Sequence, residues 1–312
     1  MKVQEIIVDD KRRYMLLDKQ GIPILPVAKY LKYVDNRGRS HNTLKTYCYA
    51  LKLYFEYLEE IDKDYKTITF DILSGFVEWL RSPYQSTKVV ELKAEKPQRT
   101  EKTVNLMITV VTQFYNYLLK NAEIENDRIE NVLMRMFTDD HAGLYHKISR
   151  RNILKLKEPS RSVKTLSTED LEKVYEATTN TRDKLLIKLL IETGLRIGEA
   201  LALYMEDFIY DDKVHRIRLI DRGEQINSSE LKTGEREIKI SQELMDLFDD
   251  YMYEVLDELE IDTNFVFVKL KGEKSGQPLD YIAVNALFKR LKKKTGIDIN
   301  ANLLRHTNKV CY

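Results

Sequence analysis

The sequence predicts a mainly α-helical chain with one small antiparallel β-sheet, split into a helical N-terminal half and a mixed C-terminal half. Three observations carry that expectation. Two long N-terminal stretches repeat apolar residues at helical spacing: Leu44, Tyr47, Cys48, Leu51, Phe55 and Leu58, then Val104, Met107, Ile108, Val111, Tyr115 and Leu118. Alternation of the strand type is clearest late in the chain, in VHRIRLI at 214–220 and REIKI at 236–240. A basic, proline-containing stretch separates the two regimes. With 312 residues, two domains are the default. The expected division is 1–150, a linker at 151–163, and 164–312.

Taken in order, the start alternates loosely, with turn signals at Asp9-Asp10 and Lys19-Gln20-Gly21, and reads as a hairpin or arm. Pro26–Tyr33 reads as a short helix ended by Asn36-Arg37-Gly38. Ser40–Leu58 is a strong helix that Asn42 or Thr43 can cap. Lys45, Tyr49 and Lys52 lie off its apolar stripe, where they either meet phosphate or are simply solvated. A helix at 71–80 places Trp79 in the core, and Arg81–Thr100, broken by Pro83 and Pro97, reads as a loop. Thr103–Leu119 completes a small helical bundle.

The C-terminal half opens with Ser167-Thr168-Glu169-Asp170, a helix start with acids in its first turn. The stretch LLIKLLIETGLRIGEALALYMEDF, Leu185 to Phe208, then reads as a helix, a stop at Gly194, an exposed Arg196 and a second helix. The planar fork of Arg196 suits a phosphate or carboxylate. Glu199 could hold that fork in place, or could form an ordinary helical ion pair with it. The strands follow, with Lys232-Thr233-Gly234 as the tip of the last hairpin. Gln242–Leu259 reads as an acidic amphipathic helix, Phe265–Val268 as a short buried extended segment, and Tyr281–Lys294 as a basic helix.

Cys48 and Cys311 are too few and too far apart for a disulfide framework or a metal site. No apolar run is long enough to span a bilayer, and the N-terminus lacks a signal region, so a cytoplasmic protein is expected. The formal net charge of +1 averages over segregated blocks. Residues 241–262 carry nine acids and no Lys or Arg, and residues 269–294 carry eight basic residues against Glu273 and Asp280. Residues 147–164 carry seven basic residues against Glu158. Such blocks fit solvated faces, and also fit a chain that turns one face toward a polyanion.

TGLRIGEAL around Arg196, the lysine of LKTGEREIKI and LLRHT around Arg305 stand in that order behind a helical bundle. Together they resemble the tyrosine recombinase (phage integrase) family over most of the chain. The resemblance implies an N-terminal helical core-binding domain and a mixed α/β catalytic domain. It implies site-specific DNA recombination by an integrase or integrase-type transposase of a mobile element, through a 3′-phosphotyrosine intermediate, with no cofactor or metal. Arg196 and Arg305 match the two arginines that steady the phosphoryl oxygens, Lys232 the lysine that protonates the leaving oxygen, and Glu199 the acid that supports the first arginine. Asn302 stands where the family usually has histidine; it can hydrogen-bond a phosphate but cannot exchange a proton near neutral pH. His306 is expected to be packed and hydrogen-bonded in support. Lys45, Lys52, Lys155, Lys157, Arg161, Lys289, Arg290 and Lys293 are the expected phosphate contacts on duplex DNA, and assembly as a tetramer on DNA is implied. The alternative is a truncated relative that binds duplex DNA without cutting it.

The family's nucleophilic tyrosine lies on a later helix, and here the sequence stops seven residues past Arg305, so a C-terminally truncated chain is expected. Tyr312 is the remaining candidate. A helix would carry it about 10 Å beyond Arg305, onto a terminus that frays. Incubation with a nicked suicide duplex should therefore give no covalent product. A covalent band that disappears in Tyr312→Phe would contradict this.

Overall fold

The computed structural model describes the chain except for Asp10, 82–97, 122–130, 134–136, 141–148, 161–164, Asp212, Glu224, Glu230, Lys232, 258–261 and Tyr312. It forms two compact units, Met1–Ser160 and Arg161–Tyr312.

The first unit begins with a hairpin, β1 (Lys2–Val8) against β2 (Lys11–Leu17), whose inner residues Tyr14 and Leu16 are buried. Helices α1 (Leu25–Asn36), α2 (His41–Glu60), α3 (Phe70–Arg81) and α4 (Glu101–Lys120) follow. The apolar stripes of α2 and α4 face each other through a tyrosine-rich core. Tyr115 donates its hydroxyl proton to the Tyr65 carbonyl (2.9 Å), so the bond between Tyr54 and Tyr115 (2.7 Å) must have Tyr54 as donor. The cap of α2 is Ser40 by backbone geometry, two residues earlier than expected. Trp79 is half-buried rather than core, because its indole N–H reaches out to Glu60 (2.8 Å). A short hairpin, β3 (Phe137–Asp140) and β4 (Ser149–Asn152), comes next.

The expected linker does not behave as a free connector where it is described. Asn105 on α4 donates to the Leu156 carbonyl (2.9 Å) and accepts from the Leu156 N–H (2.7 Å). Leu154 is buried in the first core. Residues 152–158 thus belong to the first unit; their alternation of buried Leu with exposed Lys binds them to it.

In the second unit, α5 (Thr168–Glu176) precedes the central helix α6 (Thr181–Thr193), whose Leu185, Leu186, Ile187, Leu189 and Leu190 are all fully buried. Burial on nearly every side makes α6 the element on which the rest of the unit is stacked. Asn180 caps its start by accepting from the Asp183 N–H (2.8 Å), and Gly194 ends it in the left-handed region at φ 61. Short helix α7 (Ile197–Leu201) follows, then a three-stranded antiparallel sheet in the order β5 (Phe208–Ile209), β6 (Arg216–Leu219), β7 (Arg236–Lys239). Because β6 pairs directly with β7, the chain between them, 220–235, is a long excursion rather than the tight hairpin that the turn at 232–234 suggested.

Helix α8 (Gln242–Tyr251) widens into a π turn over Met252–Asp257, and the expected end of this helix at Leu259 lies outside the described residues. Phe265–Val268 then threads past α7: the Val266 N–H donates to the Leu203 carbonyl (3.1 Å), and the Leu279 N–H to the Phe267 carbonyl (2.8 Å). Helix α9 (Tyr281–Thr295) and helix α10 (Ala301–Cys311) close the unit. Among the described residues, no helix is long and apolar enough to cross a membrane.

Helix α10 is fastened to the end of α6 by Asn308. Its side-chain amide donates to the Ile191 and Glu192 carbonyls (both 2.9 Å), which as last-turn carbonyls have no helical partner. A Cβ on Gly194 would lie 2.8 Å from the Asn308 Oδ1. Gly194 is therefore required both for its φ and for this approach. Gly194→Ala should cost about 1–2 kcal/mol for the left-handed backbone plus the displacement of Asn308. Denaturant unfolding of Gly194→Ala with and without Asn308→Ala checks this: the second substitution should recover part of the loss, and strict additivity would contradict the contact.

Candidate active site

Arg196 stands between Gly194 and α7, on the chain that emerges from the α6 terminus. Its backbone N–H donates to Glu199 Oε2 (2.9 Å) and its guanidinium Nη1 to Glu199 Oε1 (3.2 Å). The sequence spacing builds this locally, since the third residue of a helix reaches back to the cap. Glu199 is 2 % exposed. The same carboxylate also accepts from Thr233 Oγ1 (2.7 Å) and from Arg236 Nη2 (3.2 Å), and Arg236 in turn donates to Thr233. One buried carboxylate thus gathers two arginines and the residue that follows Lys232.

Burial alone would push the Glu199 carboxyl up. The bonds from Thr233, the Arg196 N–H and Arg236 outweigh it and hold the group below the ordinary glutamate range. The side chains of Arg196 and Arg236 remain 39 % and 36 % exposed, so both are partly open to solvent while Glu199 is not.

The excursion 220–235 is tied down along its length. Arg222 makes a bidentate pair with Asp207 (3.0 and 2.8 Å) and lies 4.1 Å from the Tyr204 ring centroid. Gln225 accepts from the Tyr204 hydroxyl (2.9 Å). Asn227 donates to the Leu201 and Leu279 carbonyls (both 3.0 Å), bridging the end of α7 to the start of α9. Lys232 itself lies outside the described residues, as do Arg161 and Tyr312.

Arg305 lies on α10, one turn before Asn308. It is half-buried, and its Nε is shielded from solvent with no hydrogen-bond acceptor among the described residues. A shielded guanidinium nitrogen without an acceptor is costly, and an anionic ligand oxygen would satisfy it. Asn302 is exposed on the first turn of α10, three residues back and so on the same side of the helix as Arg305.

Residues 164–309 match the phage integrase family, and residues 27–122 match its N-terminal SAM-like domain. Transposase A from transposon Tn554 of Staphylococcus aureus is 39% identical over 318 residues, an alignment spanning 99% of this chain and 85% of the relative. The chain belongs to the phage integrase family. Tyrosine recombinase XerA of Saccharolobus solfataricus is 26% identical over 273 residues, covering 86% of this chain and 72% of XerA. The fold is shared with XerH recombinase bound to a palindromic difH substrate (TM-score 0.60, 19% identity, 90% of this chain and 71% of that one). It is also shared with the Tn1549 transposon integrase in complex with transposon right end DNA (TM-score 0.60, 15% identity, 91% and 84%). Family membership makes this a tyrosine recombinase, whose family function is site-specific recombination or transposition.

For a phage integrase, the remaining predicted residues divide, among the described residues, into exposed cations and cations engaged by acids. Lys155, Lys157, Lys289 and Lys293 are exposed. Lys45 is exposed, with its ammonium 5.9 Å from the Tyr14 ring centroid. Lys52 is engaged by Glu56 at 3.5 Å, and Arg290 stands 3.8 Å from Asp183. His306 is exposed, not packed: among the described residues of α10, Ala301, Leu304 and Thr307 are buried, which leaves His306 facing outward. Thr233, Arg236 and Asn308 were missed by sequence reasoning. The alternation of REIKI marks Arg236 only as a strand residue, and nothing local pairs it with Glu199.

Because the folded Glu199 carboxyl sits below its unfolded value, it stabilises the fold above the ordinary glutamate range, and that contribution fades as pH falls through the depressed value. The stability gap between wild type and Glu199→Gln should be full above about pH 4.3 and close in stronger acid. A gap that is constant with pH, or that widens in acid, would contradict the arrangement.

Proposed function

We propose that this chain performs DNA strand transfer, with Arg196 and Arg305 gripping the non-bridging oxygens of the scissile phosphate. The observation that carries the reading is the buried Glu199 carboxylate, which orients Arg196 and anchors the foot of the excursion that contains Lys232. In transfer, a tyrosine oxygen attacks phosphorus and the P–O5′ bond breaks. Extra negative charge develops on the phosphoryl oxygens, and two pre-oriented arginines stabilise it without reorganising. Lys232 gives its ammonium proton to the departing O5′. Asn302 contributes a hydrogen bond to the phosphate and no proton.

Duplex DNA is the proposed partner, held through its backbone. The exposed cations at Lys155 and Lys157 in one unit, and at Lys289 and Lys293 in the other, supply contacts that carry no sequence information. Arg161 and Lys45 join them in this reading, while Lys52 and Arg290 contribute less because acids already engage them.

Two measurements test this. Recombination in cells between copies of the DNA flanking the gene, with the protein expressed from its natural reading frame, should fall at least about a hundredfold in Arg196→Ala and in Arg305→Ala, while duplex binding stays within a few-fold of wild type. Unchanged recombination would overturn the assignment. Separately, charge reversal at Lys155 and Lys157 should lower duplex affinity on all sequences alike and flatten its salt dependence. Unaltered affinity would remove that segment from the interface.

A further inference from the structure

We infer that Arg236 is a positioning residue that acts on Arg196 by charge: it supplies the countercharge to the buried Glu199 carboxylate, so that the positive charge of Arg196 stays available to the scissile phosphate. The inference rests on the proposed role of Arg196 at that phosphate and adds what keeps its charge uncompensated.

A carboxylate with one arginine is a neutral pair, and a neutral pair attracts an anion weakly. Glu199 holds two arginines. Arg196 Nη1 meets its Oε1 and Arg236 Nη2 meets its Oε2, each at 3.2 Å. Two cations against one anion leave a single positive charge on the group. The Glu199 carboxyl is held in its charged form: burial pushes it up, and the bonds from Thr233 and the Arg196 N–H, with the charge of Arg236, bring it below the ordinary glutamate range.

The two arginines are seated differently. Arg236 is the first residue of β7, and its backbone is fixed by pairing with Leu219 of β6. Its guanidinium is spent on the protein: Nη2 donates to Glu199 (3.2 Å), and Nη1 donates to Thr233 Oγ1 and to the Gly234 carbonyl (3.4 Å). Among the described residues, the Arg196 guanidinium gives the protein one bond, from Nη1 to Glu199 (3.2 Å), which leaves its Nε and Nη2 edge to an incoming anion. Arg196 is thus placed to grip, and Arg236 to balance the carboxylate beneath it.

Without Arg236, Glu199 keeps the Arg196 N–H, the Arg196 guanidinium and the Thr233 hydroxyl, so Arg196 keeps its seat. What is lost is charge. In strand cleavage the tyrosine oxygen bonds to phosphorus as its proton passes to water, the P–O5′ bond breaks, and O5′ leaves with a proton from the general acid. Negative charge gathers on the two non-bridging oxygens, where a neutral Arg196–Glu199 pair answers it less than a net cation does. Removing a direct donor to such oxygens costs about a hundredfold to a thousandfold. Arg236 acts through the carboxylate, so a loss of about tenfold to a hundredfold is expected.

A neutral phosphate isolates that effect. Cleavage is measured on two kinds of duplex built from the DNA flanking the gene, with protein expressed from the natural reading frame. One carries the ordinary scissile phosphate. The other carries a methylphosphonate there, with each non-bridging oxygen replaced by methyl in turn. Arg236→Gln should lose about tenfold to a hundredfold on the phosphate duplex and come within a few-fold of wild type on the methylphosphonate. Recovery by the same preparation also shows that the variant is folded. Arg196→Ala should follow the same pattern with a larger loss on phosphate. Arg236→Lys, which keeps the charge and gives up the fork, should stay within a few-fold of wild type on phosphate.

If Arg196→Ala recovers on methylphosphonate and Arg236→Gln does not, Arg236 is structural, and the inference is wrong while the role of Arg196 stands. Arg236→Gln cleaving phosphate like wild type, or Arg236→Lys being as slow as Arg236→Gln, would equally overturn it. If Arg196→Ala shows no loss on phosphate, or no recovery on methylphosphonate, the proposed role of Arg196 is itself wrong and the inference falls with it.

Discussion

The second unit depends on a buried anion in a pocket of cations. A carboxylate that is almost fully removed from water is tolerated only when its lone pairs are satisfied. Glu199 meets that condition with the Arg196 N–H, the Arg196 guanidinium, the Thr233 hydroxyl and Arg236. These donors come from the α6–α7 connection, from the far end of the 220–235 excursion and from the first residue of β7, so satisfying one residue closes the distance between two parts of the chain. The same bonds leave the two arginine side chains partly exposed, which suits groups meant to meet an outside anion. Arg305 contributes differently: its Nε is shielded without an acceptor among the described residues, on a helix that Asn308 pins to the α6 carbonyls.

Local parts of this arrangement were legible in the sequence. Arg196 and Glu199 are three residues apart, and helical geometry makes them meet. Gly194 announces itself by position after the Leu185–Leu190 stripe, although the second reason for glycine there, the approach of Asn308, is invisible without the fold. Thr233 and Arg236 were not legible as partners of Glu199, because nothing in a one-dimensional pattern sets a contact across more than thirty residues. The turn at 232–234 suggested a tight hairpin, yet the partner of β7 is β6, and the chain between them is used as a tethered arm. His306 was misread for a related reason: its neighbours in the motif are buried, but its own direction on α10 is outward.

The first unit shows the same division. The apolar stripes of α2 and α4 were plain, and they do face one another. The hydroxyl relay from Tyr54 through Tyr115 to the Tyr65 carbonyl was not foreseeable, since periodicity treats tyrosine as an apolar residue and ignores its polar end. The stretch at 152–158 looked like a connector because it is basic. Asn105, a polar residue on the buried side of α4, is what recruits it to the unit. Basic charge there marks solvent-facing positions between anchored ones, with Leu154 inward and Lys155 and Lys157 outward.

The central claim is that Glu199 and Thr233 act together, locking the lysine-bearing excursion to the first arginine. A double-mutant cycle tests it most directly, using denaturant unfolding at neutral pH of wild type, Glu199→Gln, Thr233→Val and the double variant. A direct bond to a buried carboxylate predicts a coupling of about 1 kcal/mol or more between the two sites. Effects that add within about 0.5 kcal/mol would mean that the carboxylate and the excursion are independent, and would contradict the account.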